Sequence, residues 1–136
     1  MASCRDISRC LIRYANFIAE TGSCTSWGAA FLADSGAQVI RVESADYMND
    51  CRSGPFPDRE PSEVRWNAGG MFAYWARNKQ SLCHQVAAPC GQDVYLKLVA
   101  NRDIVTDNFR SGTMRRLGLD HDTLSANIMW KSTARN

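Results

Sequence analysis

The sequence predicts an α/β domain in which short parallel strands alternate with flanking helices. Three observations carry this expectation. Helical stripes alternate along the chain with short β-branched runs, as in wound parallel sheets. The runs Val39-Ile40-Arg41-Val42 and Ile104-Val105-Thr106 each end in charged or polar residues. Gly36 and Gly118 sit where helical patterns stop, which is the usual place for a left-handed residue.

The elements follow in chain order. Ile7, Cys10, Leu11, Tyr14, Phe17 and Ile18 fall at helical spacing, and Arg5, Arg9 and Arg13 face only Asp6 and Glu20. The pattern predicts an amphipathic core helix, with an organelle presequence as the alternative; it has no secretory apolar core. Thr21 to Ser26 reads as a polar link whose hydroxyls cap a helix starting near Trp27 and running through Ala30 and Phe31 to Asp34. Val39 to Val42 is then a buried strand.

From Ser44 to Gly70 the sequence turns to Asp, Ser, Pro and Gly and reads as a long loop, either functional or a plain surface excursion. Met71, Phe72, Tyr74 and Trp75 follow as a short helix packed into the core. Pro89 suits a first helical position, and Val94, Tyr95, Leu98 and Val99 continue the stripe to about Asn101. A second strand is expected at Asp103 to Asp107, then short helices at Thr113 to Leu117 and around Thr123 to Ala126, and a last apolar run from Ile128 to Trp130.

Composition narrows the function. The 136 residues suit one domain, and 16 basic against 14 acidic residues leave a net charge of +2, too balanced for a duplex-binding surface. Nucleic acid is not an expected partner. No apolar run reaches the roughly 18 residues that span a bilayer, so no membrane partner is expected either. Six cysteines show no Cys-x-x-Cys spacing, and His84 and His121 stand apart, so neither a metal nor a disulfide framework is expected, which suits a cytoplasmic setting.

In open parallel sheets ligands bind beyond the carboxyl ends of the strands. The first strand delivers Arg41, Glu43 and Ser44 to that edge, and the second delivers Asp107, Asn108, Phe109 and Arg110. If the two strands are neighbours, their loops form one cleft. The glycine-rich phosphate cradles are missing, so a phosphate-bearing ligand needs side-chain cations. Arg110, Arg115 and Arg116, with Arg77 and Lys79, are candidates, and a solvated helix face is the competing reading. Phe109 beside Asn108 suits stacking of a purine, or equally a packed core ring. No nucleophile constellation emerges, so no catalytic residue is assigned. Glu43 and Asp107 read as ion-pair or capping groups.

Four ordered blocks, Leu32 to Glu43, Arg77 to Ser81, Pro89-Cys90-Gly91 and Asp103 to Gly118, resemble the N-terminal part of the class III coenzyme A transferases, the carnitine dehydratase and bile-acid-inducible group that includes formyl-CoA transferase. The resemblance implies a partial Rossmann-like large domain over residues 27–136, after a divergent N-terminal helix and link at 1–26. It implies coenzyme A or an acyl-CoA as ligand, transfer of coenzyme A between an acyl-CoA and a carboxylic acid, and dimers among full-length members. In such enzymes the residues resembling Asn108, Phe109 and Arg116 contact the coenzyme, and Arg110 lies beside them.

The family's catalytic aspartate comes after the strand resembling Ile128 to Ser132, outside these 136 residues, so the chain alone is expected to be inactive. A non-catalytic remnant serving as an interaction fragment, or part of an acyl-CoA racemase, are the alternatives. The chain departs from the family at Ser44, where a basic residue is frequent, and across Leu82 to Ala87. It also departs at its start, where a helical pattern and Thr21-Gly22-Ser23-Cys24 replace a strand and an Ala-Gly-Pro turn.

Overall fold

A computed structural model of the chain describes residues 15–19, 23–46, 50–52, 54–56 and 65–127. Strands β1 (Ala15–Ala19), β2 (Gln38–Glu43), β3 (Lys79–Cys83) and β4 (Ile104–Asp107) form one sheet in the order β3-β2-β1-β4, with every neighbouring pair parallel. Parallel neighbours need crossover connections, and helices supply them. Helix α1 (Ser23–Asp34) links β1 to β2, α2 (Arg65–Ala68) and α3 (Gly70–Ala76) precede β3, α4 (Gly91–Val99) links β3 to β4, and α5 (Thr113–Arg116) and α6 (His121–Asn127) follow.

Alternation along β2 explains why both faces of the sheet are covered. Successive strand residues point to opposite faces, so Val39 and Val42 belong to different layers. Val39 packs with Ala29, Ala33 and Ala37, placing α1 on one face. Val42 packs with Tyr95, Val99 and Leu119, which brings α4 and the segment after α5 onto the other. Tyr95 and Val99 lie one turn apart and are both buried, as an amphipathic helix requires. The alanine stripe of α1 is short-chained, so that helix lies close to the sheet while Trp27 and Phe31 project outward, about half exposed.

Glycine ends two of the helices in the same way. Gly36 has φ 93°, the Ala37 N–H donates to the Leu32 carbonyl and the Gly36 N–H to that of Ala33. Gly118 has φ 66°, with Leu119 donating to Met114 and Gly118 to Arg115. These are Schellman closures, which need a left-handed residue and satisfy carbonyls the helix leaves open. In each case the next residue, Ala37 or Leu119, is buried at once, so the stop also steers the chain back to the core.

Several expectations change. Residues 15–19, read as the end of a helix, form a strand at the centre of the sheet, paired to β2 on one side and β4 on the other. The rest of that helical pattern, residues 7–14, and the apolar run 128–130 lie outside the described residues. Helix α1 begins at Ser23, within the stretch read as a link. The long loop carries a 3-10 turn at Asp50–Arg52 and helix α2. Strand β3 was not anticipated. Helix α4 starts at Gly91, two residues past Pro89, and α3 buries no residue fully: Phe72 and Trp75 are half-buried, while Met71 and Tyr74 are exposed. Strands β2 and β4 are not neighbours, because β1 lies between them.

Candidate functional site

The strand order fixes where a ligand crevice belongs. From β1 the chain steps to β2 and β3 on one side, then returns through α4 to β4 on the other, so the order reverses at β1. Such a switch point opens a crevice outside the carboxyl ends of the strands. Ala19 ends β1, paired with Val42 of β2 and Asp107 of β4, so the two flanking strand ends are level.

On the β4 side the chain turns sharply. The Phe109 N–H donates to Asp107 Oδ1 at 3.1 Å, and the Arg110 carbonyl accepts the Thr113 N–H at 3.0 Å as α5 begins. Asn108 and Arg110 are exposed, and Phe109 is half-buried with its ring against the cluster of Val42, Tyr95, Val99 and Leu119. The ring is thus seated on the core, as the packed reading of Phe109 expects, and is not closed over. Burial pushes the hydroxyl of Tyr95 above its ordinary pKa, and the Asp107 carboxylate adds to that, so Tyr95 stays protonated beneath this turn.

Arg115 and Arg116 stand exposed on α5, and Arg116 Nη2 donates to Thr113 Oγ1 at 3.1 Å. Among the described residues Arg110, Arg115 and Arg116 form no ion pair. The nearby Asp120 carboxylate is engaged at the start of α6, accepting from the Thr123 N–H at 3.1 Å and the Thr123 hydroxyl at 2.7 Å. Those two hydrogen bonds hold Asp120 below the ordinary carboxylate range. One segment thus gathers Asn108, Phe109, Arg110 and Arg116 at the switch point.

The other candidate cations do not join them. Arg77 and Lys79 lie at the amino end of β3, where Lys79 pairs across to Val39. Arg77 is committed to Asp34 at 2.7 Å and sits over the Tyr74 ring at 4.5 Å, and Lys79 Nζ donates to the Ser26 carbonyl at 2.7 Å.

On the β2 side Glu43 is the hub of an ionic cluster. Its carboxylate meets Arg41 Nη2 at 2.9 Å and Arg52 Nε at 2.9 Å, with Ser81 Oγ at 3.4 Å. Phe72 covers both guanidinium groups, 5.0 Å from Arg41 and 3.6 Å from Arg52. Burial raises the Glu43 pKa, but the Arg52 hydrogen bond and the charges of Arg41 and Arg52 outweigh it and hold the carboxyl below its usual range. Glu43 is therefore a fixed anion rather than a proton acceptor. Arg52 also donates to the Trp66 carbonyl at 2.6 Å and to Asn67 Oδ1 at 2.9 Å, so this cluster ties β2 to α2 and α3. Sequence reasoning missed Arg52 because the arginine sits inside a stretch with no periodic pattern.

The β2 and β3 ends are joined at the same edge. The His84 N–H donates to the Glu43 carbonyl at 2.7 Å, and His84 Nε2 lies 2.9 Å from the Gly91 carbonyl at the start of α4. His121 is exposed beside Asp122. Among the described residues no group of three His, Cys, Asp or Glu side chains could hold a metal ion. Of the cysteines among the described residues, Cys51 is buried, and Cys24, Cys83 and Cys90 are exposed. No helix among the described residues is long and apolar enough to cross a membrane.

The sheet is parallel, and an arginine-bearing turn follows β4 at its switch point, the place where open α/β sheets take their ligands. The sequence narrows the class: the family model described as CoA-transferase family III matches residues 21–128, and the chain belongs to that family. It is 37% identical over 98 residues to an acyl-CoA transferase of Fusarium pseudograminearum, covering 68% of this chain and 21% of that protein. It is 30% identical over 98 residues to the succinate–glutarate CoA-transferase of Agrobacterium fabrum, covering 72% and 24%. A CAIB/BAIF family protein of Brucella suis superposes with a TM-score of 0.69 at 28% identity, over 86% of this chain and 30% of that one. The chain thus spans about a fifth to a third of the length of the relatives it matches.

Proposed function

We propose that the chain is the coenzyme A-binding part of a family III CoA-transferase, acting where coenzyme A passes between an acyl-CoA and a carboxylic acid. The observation that carries this reading is the β4–α5 segment, which presents Asn108, Phe109, Arg110 and Arg116 at the switch point of the sheet within the family-matched region. Guanidinium forks suit phosphate oxygens, and a half-exposed ring suits the face of an adenine. The names of several relatives, all CoA-transferases, favour transfer over racemisation.

In this reading the reacting carboxylate comes from another part of the enzyme. Glu43, the carboxylate that β2 brings to the edge, is committed to two guanidinium groups, and the chain spans only a fraction of its relatives. Isothermal titration of the folded chain with coenzyme A tests the assignment. Binding is expected at low ionic strength, weakened about tenfold by Arg116→Ala, in line with loss of one charge-assisted contact. The chain by itself is expected to give no exchange of coenzyme A between a thioester and a free carboxylate. Absence of any binding heat would sink the proposal.

A further inference from the structure

The two sides of the carboxyl edge differ in charge, and the difference traces to three side chains outside the β4–α5 segment. Ser44 Oγ donates to Gln85 Oε1 at 2.6 Å, the Gln85 amide donates to an Asp46 carboxylate oxygen, and the Asp46 N–H donates to Ser44 Oγ at 3.2 Å. This closed set of bonds joins the segment after β2 to the turn after β3. Ser44 and Gln85 are half-buried, whereas Asp46 is exposed. Its carboxylate is therefore held at one place rather than swinging freely in solvent.

Among the described residues no cation is paired with it. Arg41 and Arg52, the described basic residues of this side, are paired to Glu43 and covered by Phe72. Across β1 the balance is reversed, for Arg110, Arg115 and Arg116 outnumber the exposed Asp107 and the engaged Asp120. Because Val42 and Asp107 pair with the same residue, Ala19, the two sides lie about 10 Å apart at ordinary strand spacing. A fixed carboxylate acts over that distance on a phosphate in the crevice at low ionic strength.

We infer that Asp46, held by Ser44 and Gln85, repels phosphate from the β2–β3 side and confines anion recognition to the arginines of the β4–α5 side. The inference rests on the coenzyme A reading and deepens it. The ligand that fits carries its phosphates at one end, on the arginines, and turns an uncharged arm towards β2 and β3. Ser44, Gln85 and Asp46 are thus specificity-determining without touching the reacting atoms.

The test is a coenzyme A titration of the wild-type chain, Asp46→Asn, Asp46→Ser and Arg116→Ala at low and high salt. Asparagine keeps an acceptor for the Gln85 amide and removes only the charge, while serine removes the charge and draws its oxygen back from the Gln85 amide. Both substitutions at Asp46 are expected to tighten binding about threefold at low salt, and the gain should vanish near 0.5 M salt, where the screening length is only about 4 Å. Unchanged affinity in both, with Arg116→Ala still weakening binding, overturns the charge layout and leaves the coenzyme assignment standing. No binding by any of the four overturns that assignment and this inference with it.

Discussion

At the scale of single residues, the Glu43 cluster shows how a carboxylate at a strand tip becomes structural. Arg41 is 1% exposed, and removing its counter-ion would leave two largely buried guanidinium groups at the Phe72 ring without the carboxylate they share. Breaking a buried pair from one side is costly because the remaining charge keeps its desolvation penalty. Glu43→Gln is therefore expected to lower stability by about 3 kcal/mol at neutral pH, read from urea unfolding. The pH dependence has a definite sign. Folding depresses the Glu43 pKa, so its contribution is fully present above the unfolded value near 4.5 and is lost as pH falls through the lower folded value. The gap between wild type and variant should hold steady from pH 8 to pH 5 and narrow below about pH 4. A gap that stayed constant into acid would show that Glu43 acts through packing alone.

Single elements differ in how much of their placement is written locally. Strand β2 was legible because Val39, Ile40 and Val42 are β-branched and Gly36 closes the helix before it; β4 was legible from Ile104, Val105 and Thr106. Strand β1 was not. Its five residues, Ala15-Asn-Phe-Ile-Ala19, sit between two parallel neighbours, and so short a run cannot be told from a helix turn by periodicity. Strand β3, Lys79-Gln-Ser-Leu-Cys83, failed for the opposite reason: among the described residues it pairs only with β2, and its largely polar, exposed side chains give no pattern to read. The site followed the same rule. The strand end at Asp107 and the short helix carrying Arg115 and Arg116 are local and were legible as elements, whereas the Glu43–Arg52 and Ser44–Gln85 contacts join distant segments and needed the fold.

Helix α3 offers a test at this scale, because its apolar residues look alike in sequence and differ in space. Phe72 lies under two guanidinium groups, while Met71 is exposed and lines an open apolar hollow of about 480 Å³ with Trp27, Phe56 and Tyr74. Phe72→Ala should cost about 3 kcal/mol, from lost packing plus two cation–π contacts, and Met71→Ala less than about 0.5 kcal/mol. Thermal unfolding of the two variants decides the matter. Equal losses would mean that α3 packs as an undifferentiated apolar cluster, as the sequence alone suggested.

For the whole molecule, the consequence of the charge layout is that the exposed arginines of the β4–α5 segment contribute little to the fold. Arg110 and Arg116 are exposed and form no ion pair among the described residues, and surface groups of this kind change stability by no more than about 0.5 kcal/mol when replaced. The hydrophobic support lies elsewhere, in the two clusters on either face of β2. Folding and binding are therefore separable in one variant. Coenzyme A at a hundred times its Kd should stabilise the wild-type chain by about 2.7 kcal/mol, because ligand bound only to the folded state shifts the unfolding equilibrium by mass action. In the double variant Arg110→Ala, Arg116→Ala the melting temperature without ligand should stay where it is, while the ligand-induced rise disappears. Added salt should erode the wild-type rise in the same direction, since the contacts concerned are exposed charges. A double variant that melts early without ligand would show these arginines to be fold determinants. A rise that survives both the substitutions and the salt would place the coenzyme elsewhere on the sheet.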